Sequence, residues 1–111
     1  MNVSVTRGEI QSTPADAIIV NLFDGVTHPG GATGAANRAL GGLIAEVIAA
    51  GDFRGKLGET LTLYPRGQIP AQRVIVVGLG KAADFSLEGV REASGAAIKQ
   101  ARKLGAARVA T

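Results

Sequence analysis

The stretch Ala17-Ile-Ile-Val-Asn-Leu-Phe-Asp-Gly-Val-Thr-His-Pro-Gly-Gly-Ala-Thr-Gly-Ala-Ala-Asn-Arg-Ala-Leu40 decides the fold. Its first four residues, Ala17 to Val20, are a continuous apolar run of strand length. That pattern belongs to a strand covered on both faces. Residues 23–31 are punctuated by glycine and proline and read as a loop. After the loop, Thr33 is placed to cap a helix. Ala36, Ala39, Leu40, Leu43, Ile44, Val47 and Ile48 then recur at helical spacing and form one apolar stripe. Gly41-Gly42 weakens the middle of that stripe, so a break or a close packing contact is expected there. Gly51 follows the last apolar turn as a stop.

The same pattern extends in both directions. Asn2 to Thr6 alternates polar and apolar residues and reads as a strand, with Val3 and Val5 on one face. Gly8-Glu9-Ile10 turns the chain towards the buried strand. Downstream, Glu59 to Tyr64 reads as a strand ended by Pro65 and Gly67. Arg73-Val-Ile-Val-Val-Gly78 is the most strand-like run in the chain. The short connection between these two allows them to pair, in a direction that cannot be read locally. Ser86 is a candidate cap for a second long helix, with Glu88 in the first turn, where negative charge is favoured. Leu87, Val90, Ser94, Ala97, Ile98, Ala101 and Leu104 line one face of it, and Gly105 ends it. Arg108 to Thr111 begins a further strand. Helices separated by apolar strands predict an α/β fold, a mixed sheet with helices on its faces. The late start of the last strand leads us to expect one domain, 1–111, truncated at its C-terminal end.

Composition narrows the class. The chain has 111 residues, one domain's worth, and 16 of them are glycine. A hydrophobic fraction of 46% separates it from disordered glycine-rich segments. With no cysteine, neither a disulfide framework nor a cysteine zinc site is possible. This fits a reducing, cytoplasmic setting. No secretory signal is evident at the N-terminus, and no apolar run is long enough to span a bilayer. The net charge is +3. Lys99, Arg102, Lys103 and Arg108 cluster near the end, which would suit nucleic acid. The favoured reading is a solvated helix face whose cations complement the helix dipole. Phe23, Phe53, Tyr64 and Phe85 are too few for a base-stacking platform.

Residues able to do chemistry are scarce. His28 is the only histidine, and one histidine without cysteine cannot build a usual zinc site. Asp24 could pair with it for acid–base work, but no third member of a triad is evident. The nine carboxylates show no paired-carboxylate spacing. Gly30-Gly31-Ala-Thr-Gly34 is more informative, since it follows a buried strand and opens a helix. Small residues there would let backbone N–H groups approach an anion. Taken alone, the loop is read in preference as a tight turn with close helix–strand packing. It lacks the Gly-Lys-Ser/Thr of a P-loop. Gly78-Leu-Gly80-Lys81 is a weaker version of the same signal.

Two resemblances meet in these residues. Gly8-Glu9-Ile10, Asp16-Ala-Ile-Ile-Val-Asn21, the run Gly30 to Gly41, Gly58-Glu59, and Ile69-Pro70-Ala71 before Val74 to Gly78 resemble, in order, the segments of macro domains. Ala15 to Val26, Pro29 to Ala35, Gly51 to Thr60, Leu63-Tyr-Pro65 and Val74 to Lys81 are similar to the N-terminal domain of leucyl (cytosol) aminopeptidases. That domain is itself macro-like, so both resemblances imply a three-layer mixed sheet.

The aminopeptidase resemblance implies a two-metal exopeptidase, with manganese or zinc, usually a cytoplasmic homohexamer. Its metal ligands and catalytic residues lie in a C-terminal domain, the partner expected for this one. None can be carried over, so no catalytic or metal-binding residue is expected in this chain. The resemblance implies roles in assembly, active-site access and, in some members, DNA binding. The macro resemblance implies a stand-alone ADP-ribose or nucleotide module as the alternative. Its candidate ligand residues are Glu9, Asn21, Gly30, Gly31, Thr33 and Gly34. Asn21-Leu22-Phe23-Asp24 departs from the Asn-Ala-Ala-Asn of hydrolytic macro domains: the second asparagine is lost and bulk is added near the presumed ribose site.

Overall fold

The computed structural model describes residues 1–111. Ala17–Leu22 forms a strand in which alternate side chains enter different cores. Ile18, Val20 and Leu22 join one apolar cluster, and Ala17 and Ile19 join the other. This double burial is why the run is continuously apolar.

The strands are β1 (Asn2–Ser4), β2 (Ala17–Leu22), β3 (Thr60–Leu63), β4 (Val74–Gly78) and β5 (Arg108–Ala110). They lie side by side in the order β1-β5-β2-β4-β3. All pairings are parallel except β3 with β4, which is antiparallel. Ile18 is opposite Val74, and Leu22 is opposite Gly78. Parallel neighbours need crossover connections. From β2 to β4 the chain passes through α1 (Gly31–Ala39) and α2 (Leu43–Ala49). From β4 to β5 it returns through α3 (Leu87–Lys103) on the opposite face, giving three layers.

The glycine pair does break the first helix. Gly41 and Gly42 have φ of 69° and 86°, the left-handed region that favours glycine. The Asn37 side chain accepts the Ala45 N–H at 3.0 Å, which satisfies the start of α2. Leu40 and Ile44 stay buried on either side of the break with Phe53, which is only 1% exposed. Burying a side chain of that size stabilises the fold by about 2 kcal/mol.

Three local readings change. Thr33 is not the helix cap: Gly30 holds the extended cap conformation, and Thr33 lies buried in the first turn. Its hydroxyl donates to the Asn21 carbonyl at 2.6 Å, pinning helix to strand. The buried face of α3 is the row Ala93, Ala97, Ala101, rotated from the stripe read in sequence. Leu87 is 69% exposed, and Ser94 is exposed too. Small side chains at i, i+4 spacing let the helix rest close on the sheet, while the larger residues flank the contact. Val3 and Val5 are also exposed, because β1 is a three-residue edge strand paired only with β5. Ser86 caps α3 as read, accepting the Gly89 N–H at 3.0 Å.

β5 inserts between β1 and β2. Asp16 secures its start by accepting the N–H groups of Ala107 at 2.8 Å and Arg108 at 2.7 Å. These backbone bonds hold the Asp16 carboxyl below its ordinary range.

Candidate functional site

The C-terminal ends of the parallel strands form one edge of the sheet, where ligands of α/β folds usually sit. A cleft of about 360 Å³ opens there beside β2 and the start of α1. Asn21, Leu22 and Phe23 form its floor, Gly30, Gly31 and Thr33 one wall, and Thr6, Gly8, Ile10 and Thr111 the other. Asn21 continues the strand but is exposed, on the face that carries Ala17 and Ile19 rather than the face that buries Leu22. No side chain caps α1. The leading N–H groups of a helix lack intrahelical partners, so this end of the cleft is suited to an anion or a polar oxygen.

The cleft therefore gathers Asn21, Gly30, Gly31 and Thr33. Glu9 and Gly34 do not line it. Glu9 precedes a single 3-10 turn, Ile10–Ser12, and its carboxylate accepts the Ser12 hydroxyl at 3.4 Å. Gly34 serves packing: a Cβ there would lie 2.5 Å from the Pro29 carbonyl oxygen. Thr6, Ile10 and Val26 were not singled out as site residues in the sequence. They reach the cleft from the segment after β1, the 3-10 turn and the loop, and no local pattern announces such a meeting.

A second crevice lies where the connections after β2 and β4 leave to opposite faces. It is filled by the chain's own loop, residues 53–58. Asp24 N–H donates to the Gly80 carbonyl and Gly80 N–H to that of Gly55, both at 2.9 Å. Gly58 N–H donates to the Gly78 carbonyl at 3.0 Å. A Cβ on Gly78 would overlap the Lys56 carbonyl oxygen, and one on Gly55 would crowd the Phe23 carbonyl. The Glu59 carboxylate accepts the N–H groups of Arg54, Gly55 and Lys56 at 3.1, 2.9 and 3.1 Å.

Asp24 belongs to this plug. Its carboxylate receives Arg54 Nε at 2.7 Å and, through that contact, raises the pKa of the guanidinium. It makes no pair with His28, which is exposed and contacts the Thr27 hydroxyl through Nδ1 at 3.0 Å. Phe23 packs edge-on against Phe85, ring centres 5.4 Å apart.

The model of the cytosol aminopeptidase family's N-terminal domain matches residues 19–111. This chain belongs to that family. It is 32% identical over 110 residues to a probable cytosol aminopeptidase of Alkaliphilus oremlandii, covering 99% of this chain and 22% of that protein. A Cupriavidus metallidurans relative of the same name is 40% identical over 100 residues, covering 90% of this chain and 19% of that protein. The chain thus spans about a fifth of the curated relatives it matches.

Among solved structures, a tomato leucine aminopeptidase variant superposes with a TM-score of 0.72 at 18% identity, covering 98% of this chain and 22% of that one. A Trypanosoma brucei macrodomain in complex with ADP superposes at 0.75 with 23% identity, covering 97% of this chain and 45% of that one. These likenesses establish a macrodomain-like fold for this aminopeptidase N-terminal domain. No three His, Cys, Asp or Glu side chains of the chain stand together to hold a metal ion. No helix of the aminopeptidase domain is long and apolar enough to cross a membrane.

Proposed function

We propose that residues 1–111 form one non-catalytic N-terminal unit of a cytoplasmic peptidase that removes N-terminal residues from peptides. Two divalent metals, manganese or zinc, would be held by a catalytic segment outside these residues. The unit would serve assembly, as a homohexamer, or access to the active sites. The observation that carries this reading is the family match over residues 19–111 within relatives about five times longer. The absence of any grouping of metal-ligating side chains supports placing the reaction elsewhere. Incubated with manganese or zinc and a leucine anilide, the purified chain is expected to release no product. Hydrolysis by the chain alone, free of host peptidases, would overturn the assignment. Joined to the catalytic segment of the Alkaliphilus relative, it is expected to support activity and hexamer formation, read by sedimentation.

The open cleft supports a second reading, a nucleotide or ADP-ribose site. A glycine-rich wall, an uncapped helix start and the ADP bound by the similar Trypanosoma brucei macrodomain favour it. A ligand that binds only the native state raises the melting temperature. No shift at millimolar ADP-ribose would remove this reading and leave the first intact.

A further inference from the structure

Asp24-Gly25 is the only Asp-Gly step in the chain, and there is no Asn-Gly step. It is bonded to the plug through Arg54, and its neighbours Phe23 and Val26 line the cleft. Glycine after aspartate leaves the following amide nitrogen unobstructed by a side chain. That nitrogen can attack the Asp24 Cγ. A C–N bond forms, a carboxyl oxygen leaves as water with the amide proton, and a cyclic succinimide results. Water then adds to one of the two ring carbonyls. Opening at the former backbone carbonyl yields isoaspartate, with the main chain rerouted through the side chain and lengthened by one methylene. No oxidant, reductant or co-reactant other than water is needed.

The structure opposes each requirement of this reaction. Asp24 Oδ1, one of the oxygens that could leave, is held by Arg54 Nε at 2.7 Å in a charge-assisted hydrogen bond. The attacking nitrogen belongs to Gly25, whose N–H donates to the Arg54 carbonyl at 3.3 Å. The Asp24 N–H is fixed on Gly80. Gly25 has φ of 87°, so this turn has a definite conformation that few other residues would accept. The Asp24 side chain is only 10% exposed, whereas that of Arg54 is 65% exposed. The clamp therefore lies at the surface, where local opening can release it.

We propose that Asp24-Gly25 is a modification site, an isoaspartate-forming bond kept closed by Arg54. A longer backbone at this step would misalign the bonds to Gly80 and Arg54 that seat the plug. It would also displace Phe23 and Val26, which line the cleft. One covalent change would thus unseat the plug and reshape the cleft together. This inference does not depend on what the cleft binds.

The test incubates the chain at neutral pH, folded and in urea, and titrates isoaspartate with protein isoaspartyl methyltransferase, locating it by peptide mapping. Isoaspartate is expected at position 24, forming about tenfold more slowly in the folded chain because reaction must await local opening. Arg54→Ala, if folded by circular dichroism, is expected to accelerate the reaction towards the urea rate. If Arg54→Ala is unfolded, the folded-versus-urea comparison of the unaltered chain decides. Equal rates in the folded and urea samples, isoaspartate mainly at another aspartate, or a folded Arg54→Ala no faster than the parent would each overturn the proposal.

Discussion

Two openings lie side by side at the C-terminal edge of the sheet, and the chain treats them differently. The crevice between β2 and β4 is filled by residues 53–58, with main-chain bonds to Gly25, Gly78 and Gly80 and one carboxylate collecting three N–H groups. The cleft beside α1 stays open, and its glycines Gly8, Gly30 and Gly31 have nothing within 4 Å of an added Cβ. Glycine is therefore used for two opposite purposes in one chain. In the plug it lets backbone pass against backbone. In the cleft it keeps a helix start accessible. Glycine content alone does not mark a ligand site; the space around each Cα does.

Substitutions can break this contrast. Gly78→Ala should have the largest effect, about 3 kcal/mol of destabilisation, because rigid backbone rather than a side-chain tip meets the new methyl. Urea unfolding measures it, and a cost under about 1 kcal/mol would show that the plug yields. Glu59→Ala comes next, at about 2 kcal/mol, since three N–H groups lose a charged acceptor in a half-exposed position where water partly replaces it. Hydrogen exchange should quicken at Arg54, Gly55 and Lys56 and stay unchanged at Thr33. Thr33→Val, on the cleft side, should cost about 1 kcal/mol, the net value of its bond to the Asn21 carbonyl. Gly30→Ala should be smallest, about 0.5 kcal/mol or less, because its φ of −113° is ordinary and no atom is displaced. A Gly30→Ala cost equal to that of Gly78→Ala would abolish the distinction.

pH sharpens the same comparison through β5, which leads into the cleft at Thr111. The folded pKa of Asp16 is depressed below the usual 3.8. Its contribution is therefore fully present above that usual value and is lost as pH falls through the lower folded value. Amides of Ala107 and Arg108 should lose exchange protection over that acidic range before those of Gly78 and Gly80. Asp16→Asn should remove this pH dependence, and its persistence in that variant would assign it to another group.

Much of the candidate site could be read in the sequence, but not its boundaries. A strand, a glycine-rich loop and a helix in succession place Asn21, Gly30, Gly31 and Thr33 together, and these four do line the cleft. Glu9 and Gly34 share the same motifs yet fall outside, because side-chain direction and packing against Pro29 are not encoded in spacing. Spacing allows Asp24 to pair with His28 but favours an exposed histidine without a role. Arg54, thirty residues away, holds Asp24 instead.

From the amino-acid order alone followed the elements, the two-sided burial of β2, the break at Gly41-Gly42 and the family resemblance, since all are local patterns of period, cap and breaker. The three-dimensional arrangement alone decided that β5 enters between β1 and β2, that β3 runs against β4, and which crevice closes. Those outcomes depend on contacts between residues far apart in the chain, where the geometry of backbone hydrogen bonding and close packing selects among pairings that local sequence leaves equally open.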